Sequence, residues 1–399
     1  MHTPYRYSTL EEVESILDKS AVLGFDVETA IKQGKYSKIC LAQFYQTGMQ
    51  EVLIVKHPDP FQLMLLVMKF HWIAHNAHYE VTTIQRQTST RWIPPRFDDT
   101  FLLARLHYYD KERYTLDQCM SYALGFCPYE KQNLVKSVLQ KSNYDVPVLS
   151  DEQCRYASCD VYHLVELYDR VKCAEEETSY QLDMSFLRAC LDFQNNGMPV
   201  QEDKLMLKLE SNLEEIATYD LGINVNSYVQ VRKKLDTTKS DASALMQMWL
   251  EDGNETANQI STVRKLLKQN SFLEKFDSIG GRIYGTFKPS ARSGRSTSDD
   301  QNLQQIPRKL KGVFGTKPGR VLVYADYAQI ELRTICAITA CQKMAELFRE
   351  GKDLHNYTRD FIFGSADALY EANVSIARTR RGDDVTQEEL DEIRHGAEI

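Results

Sequence analysis

Asp26 and Glu28 are the first residues along this chain whose type and spacing can do chemistry. They stand at the end of an apolar run that predicts a buried strand over residues 21–27. Because strand side chains alternate between the faces of a sheet, both carboxylates project from one face. Two negative charges this close repel each other unless a divalent cation neutralises them. The pair is typical of a metal site, although a polar strand end facing water has the same spacing.

Two later groups of residues extend this pattern. Tyr156 and Asp160 lie four residues apart on a predicted helix and therefore share one face. Asn76 and Glu80 stand between the two pairs along the chain. Each pair alone is common, but the three groups together suit phosphodiester hydrolysis, which uses two hard cations roughly 4 Å apart. Carboxylate oxygens are the ligands that Mg²⁺ and Mn²⁺ prefer.

The three groups resemble the exonuclease motifs of the proofreading domain in family A DNA polymerases, the family of bacterial DNA polymerase I. The resemblance covers residues 5–172. It implies that Asp26 bridges two metal ions, and that Glu28 and Asp160 hold the ion that activates water. It further implies that Tyr156 orients this water and that Glu80 serves the second ion. Glu80 stands where the family usually has aspartate, and its extra methylene moves the carboxylate by about 1 to 1.5 Å.

A second candidate site lies in residues 321–333, whose sequence is VLVYADYAQIELR. The β-branched start predicts a buried strand that ends on Asp326, and the second half predicts a helix. The segment resembles motif A of the family A polymerases, which implies that Asp326 and the main-chain carbonyl of Tyr327 bind two metal ions. The resemblance also implies that Glu331 excludes a 2′-hydroxyl, so that deoxynucleoside triphosphates are the substrates. The implied nucleotide-binding set is Gln329, Ile330, Glu331, His355 and Arg394.

A third stretch carries positive charge. Residues 261–320 contain 13 Lys and Arg residues against four Asp and Glu residues, an excess of nine positive charges. An excess of this size is typical of a surface that contacts duplex DNA. Residues 293–295 and 301–308, with the sequences SGR and QNLQQIPR, resemble the TGR and NLQNIP segment of the same family. Together with the exonuclease motifs, the resemblance implies a DNA-binding set of Asn76, Arg292, Arg295, Asn302 and Gln304.

The elements that must position these residues alternate between strands and helices in the first half of the chain. Strands are predicted over residues 21–27, 39–45, 50–55 and 72–74, and helices over residues 9–20, 61–69 and 151–172. Capping boxes of Ser8 with Glu11 and of Ser150 with Gln153 predict the start of the first and last helix. Such alternation predicts an α/β domain, and the resemblance implies a ribonuclease H-like fold. Asp99 is predicted to be structural.

The second half of the chain has helical patterns over residues 182–195 and within residues 230–276. The expected fold class is therefore α/β, with an incomplete, mostly helical family A polymerase domain after the exonuclease domain. We expect the exonuclease domain at residues 1–175, ending in the acidic run 175–177, and the partial polymerase domain at 176–399. Its parts would be a thumb region at 176–280, part of the palm with motif A at 281–340, and the start of the fingers at 341–399.

Two motifs that the family carries after the position of His355 are absent from this sequence. They are the fingers motif, Arg-x-x-x-Lys, and the palm turn with the second catalytic carboxylate. Arg394 aligns with the first position of the fingers motif, but Glu398 stands where lysine is expected. Polymerisation would then need a C-terminal partner polypeptide or a missing segment. The lack of a preceding 5′-nuclease domain resembles bacteriophage enzymes.

Two alternatives to a replication enzyme stay open. One is a stand-alone 3′-5′ exonuclease whose polymerase remnant grips duplex DNA, and the other is a noncatalytic DNA-binding scaffold.

The sequence also indicates where in the cell the protein is located. No apolar run approaches the ~20 residues needed to span a membrane, and the polar N-terminus lacks the apolar core of a signal peptide. We therefore expect a cytoplasmic location, in the host cytoplasm if the protein is viral.

Charge and cysteine content argue against a nonspecific DNA-coating protein and against a zinc-binding protein. The net charge of −8 argues against a protein that coats DNA nonspecifically. The nine cysteines include no Cys-x-x-Cys pair. This pattern predicts reduced thiols that serve as small apolar residues rather than a zinc site.

Overall fold

The computed structural model describes residues 3–30, 37–174, 178–276, 278–289, 294–316 and 318–381, together with residues 390 and 394. The chain forms two compact units. The first unit consists of Met1–Gly197 and Tyr284–Gln305, and the second of Met198–Ile283 and Ile306–Ile399. The domain boundary predicted at residues 175–177 lies outside the described residues.

The first unit is built on a six-stranded mixed sheet with the strand order β1-β4-β3-β2-β5-β6. The strands are β1 (Tyr5–Tyr7), β2 (Leu23–Thr29), β3 (Ile39–Tyr45), β4 (Val52–Lys56), β5 (Trp72–Ala74) and β6 (Phe97–Asp99). β2 lies inside the sheet, antiparallel to β3 and parallel to β5. β3 and β5 are confirmed at their predicted bounds, whereas β2 and β4 each start two residues later than predicted. β1 and β6, which have three residues each, were not predicted.

Helices surround this sheet. They are α1 (Leu10–Ile16), α2 (Pro60–Val67), α3 (His78–Thr88), α4 (Thr100–His107), α5 (Leu116–Leu124), α6 (Pro128–Lys131), α7 (Lys136–Leu139), α8 (Asp151–Val171) and α9 (Thr178–Asn196). α8 begins with the predicted capping box of Ser150 and Gln153. α9 packs against α4 and α3, so the first compact unit extends past the domain end expected at residue 175.

The start of α1 differs from the prediction by one residue. The Thr9 side chain accepts the N–H of Glu12, and the Glu12 carboxylate accepts the N–H of Thr9. Ser8 cannot play this part, because its own N–H donates to the Ile54 carbonyl at 2.9 Å and keeps it at the end of β1. The capping box predicted from Ser8 and Glu11 is therefore wrong.

The second unit is mainly helical. Its helices are α10 (Glu202–Ala217), α11 (Tyr228–Leu235), α12 (Ala242–Asp252), α13 (Glu255–Leu273), α14 (Ile330–Thr339), α15 (Gln342–Arg349), α16 (Leu354–Phe363) and α17 (Ala366–Arg381). Two short strands, β7 (Met198–Pro199) and β8 (Arg282–Ile283), pair antiparallel in this unit. The segment that returns to the first unit carries a second antiparallel pair, β9 (Thr286–Lys288) and β10 (Thr297–Asp299). The helices predicted within residues 230–276 are confirmed. The helix predicted at 182–195 is also confirmed, as α9 of the first unit.

The strand predicted at the start of motif A is wrong. Residues 321–327 belong to no sheet, and Val321, Val323 and Tyr324 are 82%, 86% and 84% exposed. A strand is stable only when a neighbour pairs its N–H and C=O groups, and none of the described residues pairs with this segment. The helix predicted for the second half of the motif is confirmed as α14, which begins at Ile330.

Two predictions from composition bear on the whole chain. Over the described ranges, no helix is both long and apolar enough to cross a membrane. The nine cysteines are free thiols, and five of them are buried. This arrangement agrees with the prediction that they serve as small apolar residues.

Candidate active site

Four carboxylates from three elements of the first unit meet at one place. Asp26 and Glu28 project from β2, Glu80 from α3 and Asp160 from α8. One oxygen each of Asp26, Glu28 and Asp160 lies within 4.8 Å of the other two. Glu80 approaches Asp26 closely enough for a hydrogen bond between the two carboxyl groups. The structure thus brings together the four acidic residues that were predicted to bind metal in the exonuclease motifs.

The alternation of side chains along β2 separates its carboxylates from the core. Phe25 and Val27 are buried, whereas Asp26 and Glu28 are half-buried. Because the side-chain period of a strand is two residues, the apolar pair anchors β2 in the core while the acidic pair faces the cleft. The local sequence pattern therefore accounts for half of the cluster.

Gly24 sets the distance between β2 and α8. A Cβ at this position would lie 2.9 Å from Val165 Cγ2 and 3.0 Å from the Val161 carbonyl oxygen. Any side chain larger than hydrogen would push α8 away from the strand. Since α8 carries Asp160, this close approach also brings Asp160 to Asp26. Sequence reasoning misses Gly24, because the contact joins elements that are far apart along the chain.

Glu80 is positioned by the turn that precedes α3. Asn76 in this turn has a left-handed conformation, with φ of 70°. The Asp99 carboxylate accepts the N–H groups of Asn76 at 2.9 Å and of Ala77 at 3.0 Å. It also caps α4 by accepting the N–H of Phe101 at 2.9 Å. The structural role predicted for Asp99 is confirmed, since these bonds fix the start of α3 and hence the position of Glu80.

A buried polar network between α3 and α9 also holds α3 in place. His78 hydrogen-bonds with Gln194 of α9 at 3.0 Å, and Gln194 donates to the Thr82 hydroxyl at 2.8 Å. Burial lowers the pKa of His78 to about 4, so its imidazole is neutral at pH 7. Sequence reasoning misses this network, because 116 residues separate His78 from Gln194 and no spacing rule connects them.

The carboxyl groups of the cluster hold their protons more tightly than carboxyl groups in water. Removal from water raises the pKa values of Asp26, Glu28 and Glu80 well above the usual range, and neighbouring carboxylates raise them further. Burial raises the pKa of Asp160 to about 7, although a hydrogen bond from Tyr129 acts in the opposite direction. Bound cations would favour the ionised form of all four groups.

One oxygen of the cluster has no partner. Glu80 Oε2 is buried, and no described residue hydrogen-bonds to it. A buried polar atom left in this way costs about 1–3 kcal/mol. Hard divalent cations bind carboxylate oxygens, so a donor set of four carboxylates with an unpartnered oxygen fits Mg²⁺ or Mn²⁺.

Two tyrosines lie against Asp160. Tyr156 is on the same face of α8, as the spacing predicts, and only 4% of it is exposed. Tyr129 in α6 donates a hydrogen bond to Asp160 Oδ1. The ring centroids of the two tyrosines are 5.6 Å apart. Sequence reasoning misses Tyr129, because it is one of 22 tyrosines and belongs to no motif.

The carboxylates line an open cleft of about 1090 Å³ within the first unit. Asn76 and Tyr156 line the same cleft. Its other lining residues include basic and aromatic side chains, among them Arg113, Lys136, Lys141, Lys288, Tyr79, Phe101 and Tyr114. Cationic and aromatic groups along one groove are typical of sites for single-stranded nucleic acids.

A second group of metal-binding residue types lies elsewhere in the first unit. Ligand atoms of Cys40, His57 and Asp145 are within 4.8 Å of one another. The Lys38 ammonium is already 3.2 Å from the Asp145 carboxylate. Burial raises the pKa of the Cys40 thiol to about 11, so the thiol is protonated at pH 7. We interpret this group as an ion pair beside a buried thiol.

The metal ligands predicted in motif A do not form a comparable cluster. Asp326 is exposed, and Tyr327 is 78% exposed. The Asp326 carboxylate accepts a hydrogen bond from the Tyr324 hydroxyl at 3.5 Å. In the part of the chain that the structure describes, no group of three metal-binding side chains contains Asp326. One exposed carboxylate does not hold two cations.

The residues predicted to bind a nucleotide are brought together only in part. Gln329 donates to the Asp353 carboxylate and accepts the N–H at the start of α16 at 3.3 Å. It therefore contacts the turn that carries His355, which is exposed. Ile330 and Glu331 are exposed in the first turn of α14. These four residues lie at the start of α14 and at the start of α16.

Arg394, the fifth residue of that predicted set, contacts α17. Its guanidinium is 3.4 Å from the Asp367 carboxylate and lies 4.0 Å from the centroid of the Tyr370 ring. Both contacts join Arg394 to α17. Glu398 lies outside the described residues.

The predicted DNA-binding residues of the SGR and QNLQQIPR segments belong to the first unit. Arg295 and Gln304 are exposed, and Gln304 donates to the Ser296 hydroxyl. Asn302 is half-buried, and its side-chain oxygen accepts the N–H of Gln304 at 3.1 Å. Arg292 lies outside the described residues. The described members thus flank β10, with Arg295 before this strand and Asn302 and Gln304 after it.

Comparisons with known proteins match the two halves of the chain separately. Two sequence-family models match the chain, one for DNA polymerase family A over residues 182–378 and one for a 3′-5′ exonuclease over residues 1–173. DNA polymerase I of Aquifex aeolicus is 26% identical over 339 residues, which are 74% of this chain and 56% of that protein. DNA polymerase I of Caldicellulosiruptor bescii is 30% identical over 206 residues, which are 43% of this chain and 24% of that protein.

One similar solved structure is described as the POL domain of Pol1 from M. smegmatis in complex with DNA primer-template and dNTP. Its TM-score is 0.64 at 18% identity, over 97% of this chain and 68% of that chain. Likeness at this identity shows the fold, and it confirms the expected α/β exonuclease domain followed by a polymerase-like helical region. The chain spans about half the length of the Aquifex relative. The two family models together account for nearly all of the chain, which belongs to the family A DNA polymerases and carries a 3′-5′ exonuclease domain before its polymerase region.

Proposed function

We propose that the first unit removes nucleotides from the 3′ ends of DNA by two-metal hydrolysis, as the proofreading part of a cytoplasmic replication enzyme. The observation that carries this proposal is the cluster of four carboxylates in an open cleft, with raised pKa values and one oxygen without a partner. Such a cluster destabilises a fold unless cations bind it. The match to a 3′-5′ exonuclease family supports the same activity.

Each side chain has a proposed role. Bound cations would supply an activated water and a stabilised leaving oxygen. Asp26 contacts both Glu80 and the group formed with Glu28 and Asp160, so it is the candidate ligand of both cations. Glu28 and Asp160 would complete the site for the cation on the water side, and Glu80 would complete the other. The Tyr156 hydroxyl would orient the attacking water.

The cleft suits a single-stranded 3′ end as substrate. Basic side chains along its walls would contact phosphates, and Tyr79 and Phe101 offer rings for base stacking. Asn76 lines the same cleft and would contact the terminal nucleotide. Contacts to backbone and ring faces carry no sequence information. We therefore propose that the unit trims 3′ ends of any sequence.

We propose that the other predicted residues serve DNA synthesis with deoxynucleoside triphosphates. Asp326 and the Tyr327 carbonyl would bind two Mg²⁺ ions, next to the nucleotide-binding set already described. The DNA-binding set of the SGR and QNLQQIPR segments would contact the primer-template. The exposure of Asp326 and of residues 321–327 supports a further proposal, that synthesis requires another polypeptide segment. That segment would pair with residues 321–327 as a strand and would bring a second carboxylate to Asp326.

Cleavage of a labelled primer tests the exonuclease proposal. A 5′-labelled primer with a mispaired 3′ end is incubated with the full chain and Mg²⁺, and its shortening is followed on a sequencing gel. D26A should abolish the shortening, and D169A is the matched control, because Asp169 is an exposed aspartate that pairs with Lys172 on the solvent side of α8. Equal cleavage by D26A and the wild type would contradict the proposal.

Extension of the same primer tests the need for a further segment. The chain should not extend the primer when all four deoxynucleoside triphosphates are added. Extension should appear on adding a polypeptide that carries the two absent motifs. Extension by this chain alone would contradict the proposal, and failure of rescue would favour the stand-alone exonuclease.

A further inference from the structure

The hydroxyl of Tyr129 reaches Asp160 from α6, a helix that carries none of the four carboxylates. It donates to Asp160 Oδ1, and Tyr129 itself is only 1% exposed. A carboxylate has two oxygens, so a phenol bound to one oxygen leaves the other for a cation. Tyr129 therefore limits the rotation of the Asp160 carboxylate without occupying both of its ligand positions.

The ring of Tyr129 has two close neighbours. It packs on Tyr156, with 5.6 Å between the ring centroids. The Lys136 ammonium lies 5.4 Å from the centroid of the Tyr129 ring and forms an ion pair with Asp117. Pro128 at the first position of α6 fixes the start of the short helix that carries the tyrosine. These contacts leave the phenol little freedom.

We infer that Tyr129 is a positioning residue, whose phenol fixes one oxygen of Asp160 so that the other is directed to the cation bound with Asp26 and Glu28. The inference rests on the proposed exonuclease function and deepens it. It assigns to α6 a part in the cation site, although α6 contributes no ligand. Groups that orient metal ligands in this way change metal affinity by about 10- to 100-fold when they are removed.

Manganese binding to the full chain tests the inference without relying on activity. Binding of Mn²⁺ to the metal-free protein is followed from the electron paramagnetic resonance signal of the free ion. We expect Y129F to weaken one of the two Mn²⁺ sites by about 10- to 100-fold. The control is Y45F, because Tyr45 is also buried but donates its hydrogen bond to the Met49 carbonyl at 3.3 Å, away from the four carboxylates. Y45F should bind both ions as the wild type does.

Single-turnover cleavage at increasing Mg²⁺ provides a second readout. Y129F should raise the Mg²⁺ concentration for half-maximal rate by the same factor, and the rate at saturating Mg²⁺ should recover to within about tenfold. A merely structural tyrosine would lower the melting temperature of the metal-free protein and leave both Mn²⁺ affinities unchanged. That result, or equal weakening by Y45F, would overturn the inference.

Two further variants keep the test decisive. D160N should weaken the same Mn²⁺ site, and adding Y129F to it should produce no further loss, since Tyr129 acts through Asp160. If Y129F does not fold, Y129M removes the same hydroxyl with a side chain that adapts to the pocket. A wild type that binds no Mn²⁺ would overturn the proposed exonuclease itself. Two wild-type Mn²⁺ sites that persist in Y129F would overturn only the role of Tyr129.

Discussion

Asp26 and Asp326 both follow apolar, β-branched runs, yet their surroundings differ. Asp26 lies on an inner strand of a six-stranded sheet, with three other carboxylates around it. Asp326 is exposed at the end of a segment that pairs with none of the described residues. The first aspartate is held in place by a sheet and two helices, whereas no sheet holds the second among the described residues. A two-metal site needs such supporting elements, because its ligands must converge before a cation can bind.

The contrast shows where the conformational entropy of a metal site is lost. In the first unit, folding of the sheet already fixes the acidic residues, so cations meet a preorganised site. In motif A, residues 321–327 would have to become ordered when a partner strand or a ligand binds. Ordering of each backbone residue costs about 1–2 kcal/mol. We therefore expect weak binding of cations at Asp326 in this chain alone.

Amide hydrogen exchange should show the largest difference between the two regions. Amides of β2 and β3 are paired inside the sheet, whereas those of residues 321–327 lack partner strands among the described residues. We expect exchange in β2 and β3 to be at least about 10³-fold slower, since their opening requires much of the unit to unfold. Mass spectrometry of peptides from both regions measures the difference. Comparable protection of residues 321–327 would show that this segment is paired after all.

Removal of the charge at each aspartate should affect stability differently. D26N removes the carboxyl group that raises the pKa values of Glu28 and Glu80, so it should stabilise the metal-free protein at pH 8 by about 1–3 kcal/mol. D326N changes an exposed residue and should alter the free energy of unfolding by less than about 0.5 kcal/mol. Urea unfolding in the presence of a chelator measures both. Destabilisation by D26N would mean that the carboxylates of the cluster do not repel one another in the folded protein.

The parts of the site that depend on local spacing are predictable from sequence. The two-residue spacing of Asp26 and Glu28 and the four-residue spacing of Tyr156 and Asp160 each follow from the geometry of one element. Gly24 and Tyr129 are not predictable, because their importance arises from contacts between elements distant in the chain. The strand expected before Asp326 shows a second limit. A β-branched run indicates suitability for a sheet, but it does not indicate whether a partner strand is present.

Gly24 allows a test of how much the cluster of four carboxylates depends on the close approach of α8 to β2. G24A places a methyl group against Val165 and the Val161 carbonyl, so α8 must shift. We expect a loss of about 1–3 kcal/mol in the free energy of unfolding and a fall of about tenfold or more in the cleavage rate. The control is G312A, because no atom lies within 4 Å of a Cβ at Gly312. Equal effects of both variants would show that packing at Gly24 is not tight.

The smallest expected effect is a change with pH in how much Mg²⁺ stabilises the protein. The pKa of Asp160 is raised to about 7, and those of its three acidic neighbours are also raised. Since these values exceed the ~4 of carboxyl groups in an unfolded chain, the protonated groups contribute stability that is complete below about pH 4. This stability is lost as the pH rises through the folded pKa, which for Asp160 is about 7. The metal-free protein should therefore melt at a lower temperature at pH 8 than at pH 6.

Mg²⁺ binds the ionised carboxylates, so its stabilising effect should increase over the same interval by a few degrees, about the shift that 1 kcal/mol produces. Burial lowers the pKa values of His75 and His78 to about 4, so their contribution is complete above pH 6.5 and is lost toward pH 4. This opposing effect is the same with and without Mg²⁺ and cancels in the difference between the two melting curves. Melting followed by circular dichroism, with Mg²⁺ or with a chelator, measures that difference, and D26N should abolish its dependence on pH. A Mg²⁺ effect that stays constant from pH 6 to pH 8 would mean that cation binding does not release protons from this cluster, and that its carboxylates are already ionised in the metal-free fold.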